Sequence, residues 1–361
     1  DNFRRITDAL DYRTIRPGGP TYRIPYDTRP LPESFAFRGS RRLVTQWTAE
    51  TATSGLIVVH DGKIAFERYF LGNTPATRWI AWSASDPVVA ALVGIAWQEG
   101  LIRSVTDLVT DYVPRLTISG YAGVTLKDVL QMSSGIAFDG NDAHFMSDIG
   151  RMRRSLALSA AMDDLMVALR RHRRPGTVLH PVCVDTQVLA MVVEEATGRS
   201  LSAYLEDKLW SRLGAEAEAF WVIDDHGREL ACYGLQAVLR DYARFGLLFL
   251  NEGRNFRDQQ ILPAEWVRAS VAADRAHLIP GDGRGPLPRH GYGYQWWLPA
   301  PPEGDYCAVG NYGQFIYVHP RHRVVIVKTS ADAGASRIGS EMESASLAAF
   351  RAIAAHMGRT P

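Results

Sequence analysis

The sequence predicts an α+β fold, in which an antiparallel sheet is flanked by helices and a mostly helical lobe is inserted between its strands. Strand patterns occur towards both ends of the 361-residue chain, at 54–71 and at 292–329, whereas helical patterns fill most of the stretch between them. One sheet built from both regions explains this order. The predicted units are an extended N-terminal arm over 1–50 and one domain over 51–361, whose sheet comes from about 51–72 and 290–361 and whose helical lobe spans about 73–289.

The first strands are predicted as a hairpin. Segments 56–60 and 64–70 flank Asp61-Gly62, a dipeptide that favours a two-residue turn between antiparallel strands. Residues 1–35 contain five prolines and few periodic apolar positions, which is typical of an extended arm.

A buried helix is predicted over 87–99. Residues 88–96 are apolar throughout, no charge occurs before Glu99, and Gly100 favours a stop. The short polar segment 82–86 comes directly before this helix. Because the unpaired N–H groups of a helix start point at whatever lies in front of it, this is a common place for a nucleophile.

The remaining elements follow from caps and apolar spacing. Thr125 is expected to be the N-cap of a helix and Gly135 its C-cap, and Pro175-Gly176 breaks the chain. Further helices are predicted at 155–171, 188–197, 201–213, 236–250, 263–273 and 339–357. A loop is predicted at 276–290, and further strands at 292–297, 306–309, 314–318 and 324–329.

Composition excludes several classes of function. The net charge of +1 provides no bulk field that favours nucleic acid, and the apolar runs are too short to span a bilayer. Because no nucleotide-binding or metal-ligand motif occurs, we expect no cofactor, no metal and a small-molecule substrate, while the oligomeric state is open. The three cysteines are too few for a disulfide framework and indicate reduced thiols, hence a cytoplasmic location.

The segment Ser83-Ala84-Ser85-Asp86 carries a family resemblance. With the apolar run behind it, it resembles the S-x-x-K segment of serine β-lactamases and penicillin-binding proteins, and it is most similar to their branch of class C-like esterases and 6-aminohexanoate-dimer hydrolases. The resemblance implies a serine that forms an acyl-enzyme while a lysine and a tyrosine move protons. It places Ser83 at the nucleophile's position and Asp86 where the family has its lysine.

Further matches occur in the family's order along the chain. They include an L-x-M-x-S-G turn and the surroundings of the family's second and third motifs, at 130–135, 175–177, 185–189, 240–246, 292–297 and 310–314. The resemblance therefore covers most of the chain from about residue 50. It implies the family's fold, with the site in the cleft between sheet and helical lobe.

Asp86 has two interpretations. With Pro87 it is a natural helix start, with the aspartate as N-cap and the proline at the first helical position. Alternatively it is catalytic, although the pKa of an exposed aspartate lies about six units below that of lysine, which makes it a far weaker base.

The second motif also departs from the family. Pro181 stands where the family has its tyrosine, and it has no hydroxyl that could relay a proton. Cys183 is either an inert thiol or a weak hydrogen-bonding group of the site, and His180 is either structural or an acid–base group. Since losing one catalytic member is costly, we expect poor or absent β-lactamase, peptidase and esterase activity.

The third motif contributes a tyrosine and backbone donors. Tyr312 is a candidate hydrogen-bond donor or pocket residue, and an N–H group near Gln314 is expected to form an oxyanion hole with that of Ser83. The candidate catalytic residues are Ser83, Asp86, His180 and Tyr312, and the candidate substrate-binding residues are Trp82, Cys183, Asn311, Gly313, Gln314 and Trp297.

Three functional hypotheses follow. In the first, the chain performs noncovalent acid–base chemistry on a small carbonyl compound in specialised metabolism (cyclisation, isomerisation, elimination or acyl transfer), with Asp86, His180 and Tyr312 as acid–base groups and Ser83 orienting the substrate. In the second, it is a serine ester or amide hydrolase in which Ser83 is the nucleophile and Asp86 or His180 the base. In the third, it is a catalytically inactive homologue that binds a ligand.

Overall fold

The computed structural model describes residues 3–141, 144–282, 289–334 and 340–359. The strands of this part are β1 (Tyr12–Ile15), β2 (Ser34–Phe37), β3 (Ser40–Leu43), β4 (Thr53–His60), β5 (Lys63–Tyr69), β6 (Arg78–Ile80), β7 (Ala219–Val222), β8 (Leu235–Val238), β9 (Gly291–Tyr292), β10 (Trp297–Leu298), β11 (Tyr306–Gly310), β12 (Gln314–His319) and β13 (Val324–Ser330). The helices are α1 (Val44–Glu50), α2 (Asp86–Gln98), α3 (Val109–Tyr112), α4 (Leu126–Leu130), α5 (Asp148–Ala157), α6 (Met162–Ala168), α7 (Cys183–Thr197), α8 (Leu201–Leu205), α9 (Ser211–Leu213), α10 (Leu239–Leu250), α11 (Ala264–Ser270) and α12 (Glu341–Met357).

A seven-stranded antiparallel sheet joins distant parts of the chain. Its strand order is β5-β4-β13-β12-β11-β10-β9, so a strand from the first quarter of the chain pairs with the last strand. The hairpin β4–β5 turns at Asp61 and Gly62, whose φ angles of 46° and 73° are both left-handed, as a two-residue hairpin turn requires. The predicted α+β fold, with one sheet made from both ends of the chain, is confirmed.

The two faces of this sheet belong to two apolar cores. In β4, Val59 packs in the core that contains α2 and α10, whereas the preceding Val58 packs in the core that contains α12. The side chains of successive strand residues point to opposite faces, so a strand that is apolar at every position is buried on both sides. The sheet is therefore covered by helices on both faces.

Helix α2 is buried from Asp86 to Ala96, as its uninterrupted apolar sequence predicts. It packs against α7 in the helical lobe. Gly94 faces Trp266 of α11 so closely that a Cβ atom there would lie 2.6 Å from atoms of the indole ring. The absence of a side chain at Gly94 therefore lets α2 pack closely against α11.

A second, four-stranded sheet has the order β1-β7-β8-β6 and lies beside the helical lobe. Its edge strand β1 comes from the N-terminal region, where β2, β3 and α1 also form. Residues 3–50 therefore contain regular structure as well as extended chain, and the proposed boundary at residue 50 stays a prediction.

Some predicted helices differ from the observed ones. The single helix predicted over 155–171 is wrong, because α5 and α6 are separated by a turn in which Ser159 has a left-handed φ of 63°. The helix predicted over 236–250 begins at Leu239, because the preceding residues pair as β8 with strands on both sides.

The predicted caps of α4 have opposite outcomes. Thr125 is confirmed as the N-cap, since its Oγ1 accepts the N–H of Asp128 at 3.1 Å. Gly135 is not the C-cap, because α4 ends at Leu130. Gly135 instead lies in a later turn against the carbonyl of Arg173, which a Cβ atom would approach to 2.2 Å. The start of the last predicted helix, Gly339, lies outside the described residues.

We expect Gly94→Ala to lower the free energy of unfolding by about 1–3 kcal/mol, the usual cost of overpacking a core. Alanine favours a helix over glycine by about 1 kcal/mol, so propensity alone predicts the opposite sign. Urea unfolding followed by circular dichroism measures the change. The double variant with Trp266→Leu should lose less stability than the sum of the single variants, and a Gly94→Ala protein as stable as the parent would contradict this packing.

Candidate active site

The turn before α2 places Ser83 at the start of a buried helix. Residues Trp82–Ser85 form one turn of 3₁₀-helix that continues directly into α2. Trp82 has a left-handed φ of 50°, and the hydroxyl of Ser85 donates to its carbonyl at 2.7 Å. Gly310 of β11 lies against this turn, since a Cβ atom there would be 2.3 Å from the carbonyl oxygen of Ala81. Ser83 is thus fixed between a helix start and a sheet strand.

A cavity of about 630 Å³ opens in front of this turn. Ser83, Asp86 and the end of β11 lie on one side, and the start of α7 with its preceding residues lies on another. Its aromatic wall consists of Trp82, Phe138, Tyr233, Tyr292 and Trp297. A pocket of this size with apolar walls and a few polar groups is typical of a site for a small molecule.

Other hollows in the described residues lack this combination. One of about 490 Å³ is lined by Arg4, Arg5 and Arg78, and contains no carboxylate or thiol. Another, of about 870 Å³, is lined by charged residues such as Arg199 and Asp207, which pair with each other at 2.7 Å. Neither of these two hollows places a nucleophile beside a buried carboxyl.

The structure brings together six of the ten candidate site residues. The residues that line the cavity are Ser83, Asp86, Trp82, Cys183, Asn311 and Trp297. The other four, which do not line it, are His180, Tyr312, Gly313 and Gln314. The roles of all ten in catalysis or binding remain predictions.

His180 and Tyr312 lie outside the cavity wall. The N–H of His180 donates to the carbonyl of Met132 at 2.8 Å, and its ring contacts the backbone of Phe138 and, edge to face, the ring of His172. Burial lowers the pKa of His180. Tyr312 packs edge to face on Phe3 and against Trp82, with ring centroids 5.1 and 5.2 Å apart.

Gln314 is used by the sheet itself. Its side-chain amide accepts from the indole N–H of Trp79 and the N–H of Ser330, both at 3.0 Å, and donates to the carbonyl of Ser330 at 2.8 Å. The residues at the end of β11 that line the cavity are Val309 and Asn311. These side-chain bonds do not occupy the backbone N–H of Gln314, so a backbone donor near the substrate can come from there or from this end of β11.

Asp86 is not the N-cap of α2. It is the first residue of the helix, with φ −54° and ψ −41°, whereas an N-cap residue has extended backbone angles and accepts an N–H of the first turn. The Oδ1 atom of Asp86 has no hydrogen-bond partner among the described residues. The N-cap part of the helix-start interpretation is therefore wrong, whereas α2 does begin at Asp86, with Pro87 in its first turn, as that interpretation expects.

The environment of Asp86 favours the neutral carboxyl. Only 5% of the residue is exposed. Burial raises the pKa of Asp86 well above its ordinary value, the negative charge of an ionised Cys183 raises it further, and the hydroxyl of Thr186 lowers it. The carboxyl consequently keeps its proton to a higher pH than an exposed aspartate does.

Two thiols line the same cavity as this carboxyl. Cys183 is the first residue of α7 and is half-buried, whereas Cys232 is fully buried, and both are free thiols. The thiols of Cys232 and Cys183 are in hydrogen-bonding contact. Burial, and then this contact, raise the pKa of Cys232, so its thiol stays protonated and can donate to Cys183.

Several cavity residues were missed by the reasoning from sequence. Cys232 and Tyr233 lie just before β8, in a segment without a motif, and Tyr292 and Phe138 read equally well as core. Arg153 of α5 also lines the cavity. In the sequence it lies beside Arg151 and Arg154, and such a group of charges is typical of a solvated helix face. The sequence offers only a weak signal for Cys232. It is a thiol within the short apolar segment 230–233, which lies between Gly227 and Gly234.

Among the described residues, no group of three or more His, Cys, Asp or Glu side chains is placed to hold a metal ion. No helix in the part that the structure describes is long and apolar enough to cross a membrane.

Known proteins resemble the chain in sequence. The sequence model of the Beta-lactamase family matches residues 41–348. The chain is 28% identical to the 6-aminohexanoate-dimer hydrolase of Paenarthrobacter ureafaciens over 290 residues, which are 78% of this chain and 73% of that protein.

Solved structures share the fold. A candidate 6-aminohexanoate-dimer hydrolase from Bacillus anthracis superposes with a TM-score of 0.87 at 24% identity, over 100% of this chain and 94% of the other. A family VIII carboxylesterase has a TM-score of 0.64 at 16% identity, over 82% of this chain and 92% of the other. The octameric penicillin-binding protein homologue of Pyrococcus abyssi has a TM-score of 0.63 at 18% identity, over 85% and 76%.

We expect Asp86→Asn to stabilise the protein more as the pH rises. Because the pKa of Asp86 is higher in the folded chain, the folded state binds more protons between the ordinary and the raised pKa, and the free energy of unfolding falls as the pH rises through that window. Asparagine does not titrate, so its advantage grows by about 1.4 kcal/mol for each unit of the shift.

Urea unfolding of both proteins at about pH 5 and about pH 9 measures this difference. Asp258→Asn, at a side chain that is 86% exposed, is the matched control. An advantage of Asp86→Asn that is the same at both pH values would contradict the buried, unpaired state of this carboxyl.

Proposed function

Since this chain belongs to the β-lactamase family, we propose that it hydrolyses small esters or amides in the cavity at the start of α2, with Ser83 as the nucleophile. The observation that carries the proposal is that Ser83 and the buried carboxyl of Asp86 line the same cavity of about 630 Å³. Asp86 is the third residue after Ser83 in a continuous helical stretch, a spacing that brings side chains to the same face.

The substrate class follows from the relatives and the cavity wall. One relative is named for hydrolysis of the 6-aminohexanoate dimer, and one structural neighbour is a carboxylesterase. The wall of this chain's cavity contains Phe138, Tyr233 and Trp297, which suit an apolar acyl chain or ring. We therefore expect a small, largely apolar acyl group on an ester or amide.

Asp86 supplies the proton acceptor in this proposal. A serine hydroxyl is a weak nucleophile unless an adjacent base removes its proton. The resemblance places Asp86 where the family has its lysine, and burial makes its carboxylate a stronger base than an ordinary aspartate because the pKa is raised. The cost is that the carboxylate is fully present only above that raised pKa.

Backbone donors complete the site. The N–H of Ser83 at the helix start and an N–H at the end of β11, beside Val309 and Asn311, would stabilise the oxyanion that forms when the serine attacks. Such donors do not depend on side-chain identity, so they persist where the side chains of a family motif are replaced. The strand donor that we propose is thus at the end of β11, whereas the sequence predicts one near Gln314.

A second candidate is noncovalent acid–base chemistry on a small carbonyl compound in specialised metabolism. The observation that favours it is the raised pKa of Asp86, because a neutral carboxyl can donate a hydrogen bond or a proton to a substrate carbonyl. His180 and Tyr312 would then act only after moving into the cavity. The two candidates require opposite protonation states of Asp86, which makes them separable by pH.

The cellular setting is also a proposal. Free Cys183, Cys232 and Cys307 are consistent with a reducing compartment, and we propose a cytoplasmic location on this ground. The expected partner is a small-molecule substrate. Fractionation of cells that express the full-length chain tests the location.

We expect a fluorophosphonate to label Ser83, which intact mass spectrometry detects as a single adduct. Ser83→Ala should lose the adduct and lower kcat/KM for p-nitrophenyl esters by a factor of about 10³ or more, the usual cost of removing a nucleophile. Ser40→Ala, on β3 outside the cavity, should keep both. A folded wild-type protein that gains no adduct and hydrolyses no ester or amide would refute Ser83 as nucleophile.

The pH dependence of kcat/KM separates the two candidates. If ionised Asp86 is the base, kcat/KM for hydrolysis rises with pH through the raised pKa of this carboxyl and levels off above it. Asp86→Asn should lower the plateau by about 10²–10⁴ and remove this rise. A rate that instead falls as the pH rises through the same range indicates that the protonated carboxyl is required, which favours the second candidate.

A further inference from the structure

The cavity contains a second group that can attack a carbonyl. Cys183 and Cys232 line it together with Ser83 and Asp86. Cys183 is the more accessible of the two thiols, since it is half-buried whereas Cys232 is fully buried. The proposed function makes no use of either thiol.

Asp86 is placed to exchange a proton with Cys183. Its Oδ1 atom is buried, forms part of the cavity wall and has no hydrogen-bond partner among the described residues. The negative charge of an ionised Cys183 is the second cause that raises the pKa of Asp86, after burial. Both residues line the same cavity, and α2, which begins at Asp86, packs against α7, which begins at Cys183.

Two further features of the surroundings of Cys183 bear on its role. The residue begins α7, a helix of 15 residues, and the N–H groups and dipole at a helix start favour a negative charge there. The thiol of Cys232 contacts Cys183, and because burial keeps Cys232 protonated it can donate its S–H to the sulfur. Cys232 thus acts as a positioning residue.

We propose that Cys183 is a second nucleophile of this cavity, which accepts the acyl group of an ester substrate as a thioester with Asp86 as its proton acceptor. The inference rests on the proposed function for the substrate class. The demand on the base is smaller than for serine, because an ordinary thiol is already a few per cent ionised at about pH 7 and the thiolate is intrinsically very nucleophilic. A carboxylate that removes a proton poorly from a hydroxyl can therefore suffice for a thiol.

The chemical step is balanced without a further reactant. The thiol proton moves to the Asp86 carboxylate while Sγ bonds to the carbonyl carbon, and the tetrahedral intermediate collapses with loss of the alcohol, which takes the proton from Asp86. Water then attacks the thioester and gives a proton to Asp86. When the C–S bond breaks, the acid leaves and the sulfur regains its proton from Asp86.

The test uses p-nitrophenyl butyrate with the full-length Ser83→Ala protein. We expect a butyryl adduct that peptide mapping places on Cys183 and that neutral hydroxylamine removes, together with residual turnover. Adding Cys183→Ser should abolish the adduct and lower the residual turnover at least tenfold. Adding Asp86→Asn instead should slow adduct formation at least tenfold, whereas Cys307→Ser, a buried thiol outside the cavity, should change neither.

Each remaining result bears on one proposal or both. Acylation of Ser83 alone in the wild type, with no adduct on Cys183 in Ser83→Ala, overturns this inference and leaves the proposed function standing. An adduct on Cys183 with turnover unaffected by Ser83→Ala supports the inference and overturns the role of Ser83. A butyryl group that stays on Cys183 without discharge overturns catalysis by this thiol. If Cys183→Ser fails to fold, iodoacetamide applied to Ser83→Ala replaces it, and residual turnover that survives complete alkylation of Cys183 overturns the inference.

Discussion

The close packing of the start of α2 between β11 and α7 is the constraint on which the site depends. On one side Gly310 of β11 has no side chain, and a Cβ atom there would lie 2.3 Å from the carbonyl oxygen of Ala81. On the other side α7 packs along α2 and brings Cys183 to the same cavity as Asp86. Ser83 lines this cavity as well.

The same packing explains the electrostatics of the site. A carboxyl at the first residue of an exposed helix would be solvated and ionised, but here the walls that position Ser83 also remove water from Asp86. Desolvation raises the pKa of Asp86, and it raises the pKa of the neighbouring Cys232 as well. Asp86 and Cys232 therefore keep their protons to a higher pH than they would in water, because the fold buries both of them at the cavity.

Much of the fold could be predicted from the sequence, because its strongest signals are local. Asp61-Gly62 between two apolar strands and the uncharged run before Glu99 each specify an element with little help from the rest of the chain. The misassigned segments depend on distant partners: β8 is a strand because β6 and β7 flank it. Cys232 reaches the cavity for a similar reason, since only tertiary packing places the segment before β8 beside α7.

Asp86 shows where a local rule fails at a functional position. Asp-Pro at the start of an apolar run favours an aspartate at the N-cap. In the structure a 3₁₀ turn leads directly into α2, and Asp86 is the first helical residue instead. Its carboxyl therefore does not cap the helix, and Oδ1 has no hydrogen-bond partner among the described residues. An unpaired buried oxygen lowers the stability of the folded chain. Here it belongs to a carboxyl that shares its cavity with the hydroxyl of Ser83 and the thiol of Cys183, and such costs are expected at functional sites. Of these two groups the thiol is the more acidic, and it is therefore the better match for a carboxylate base.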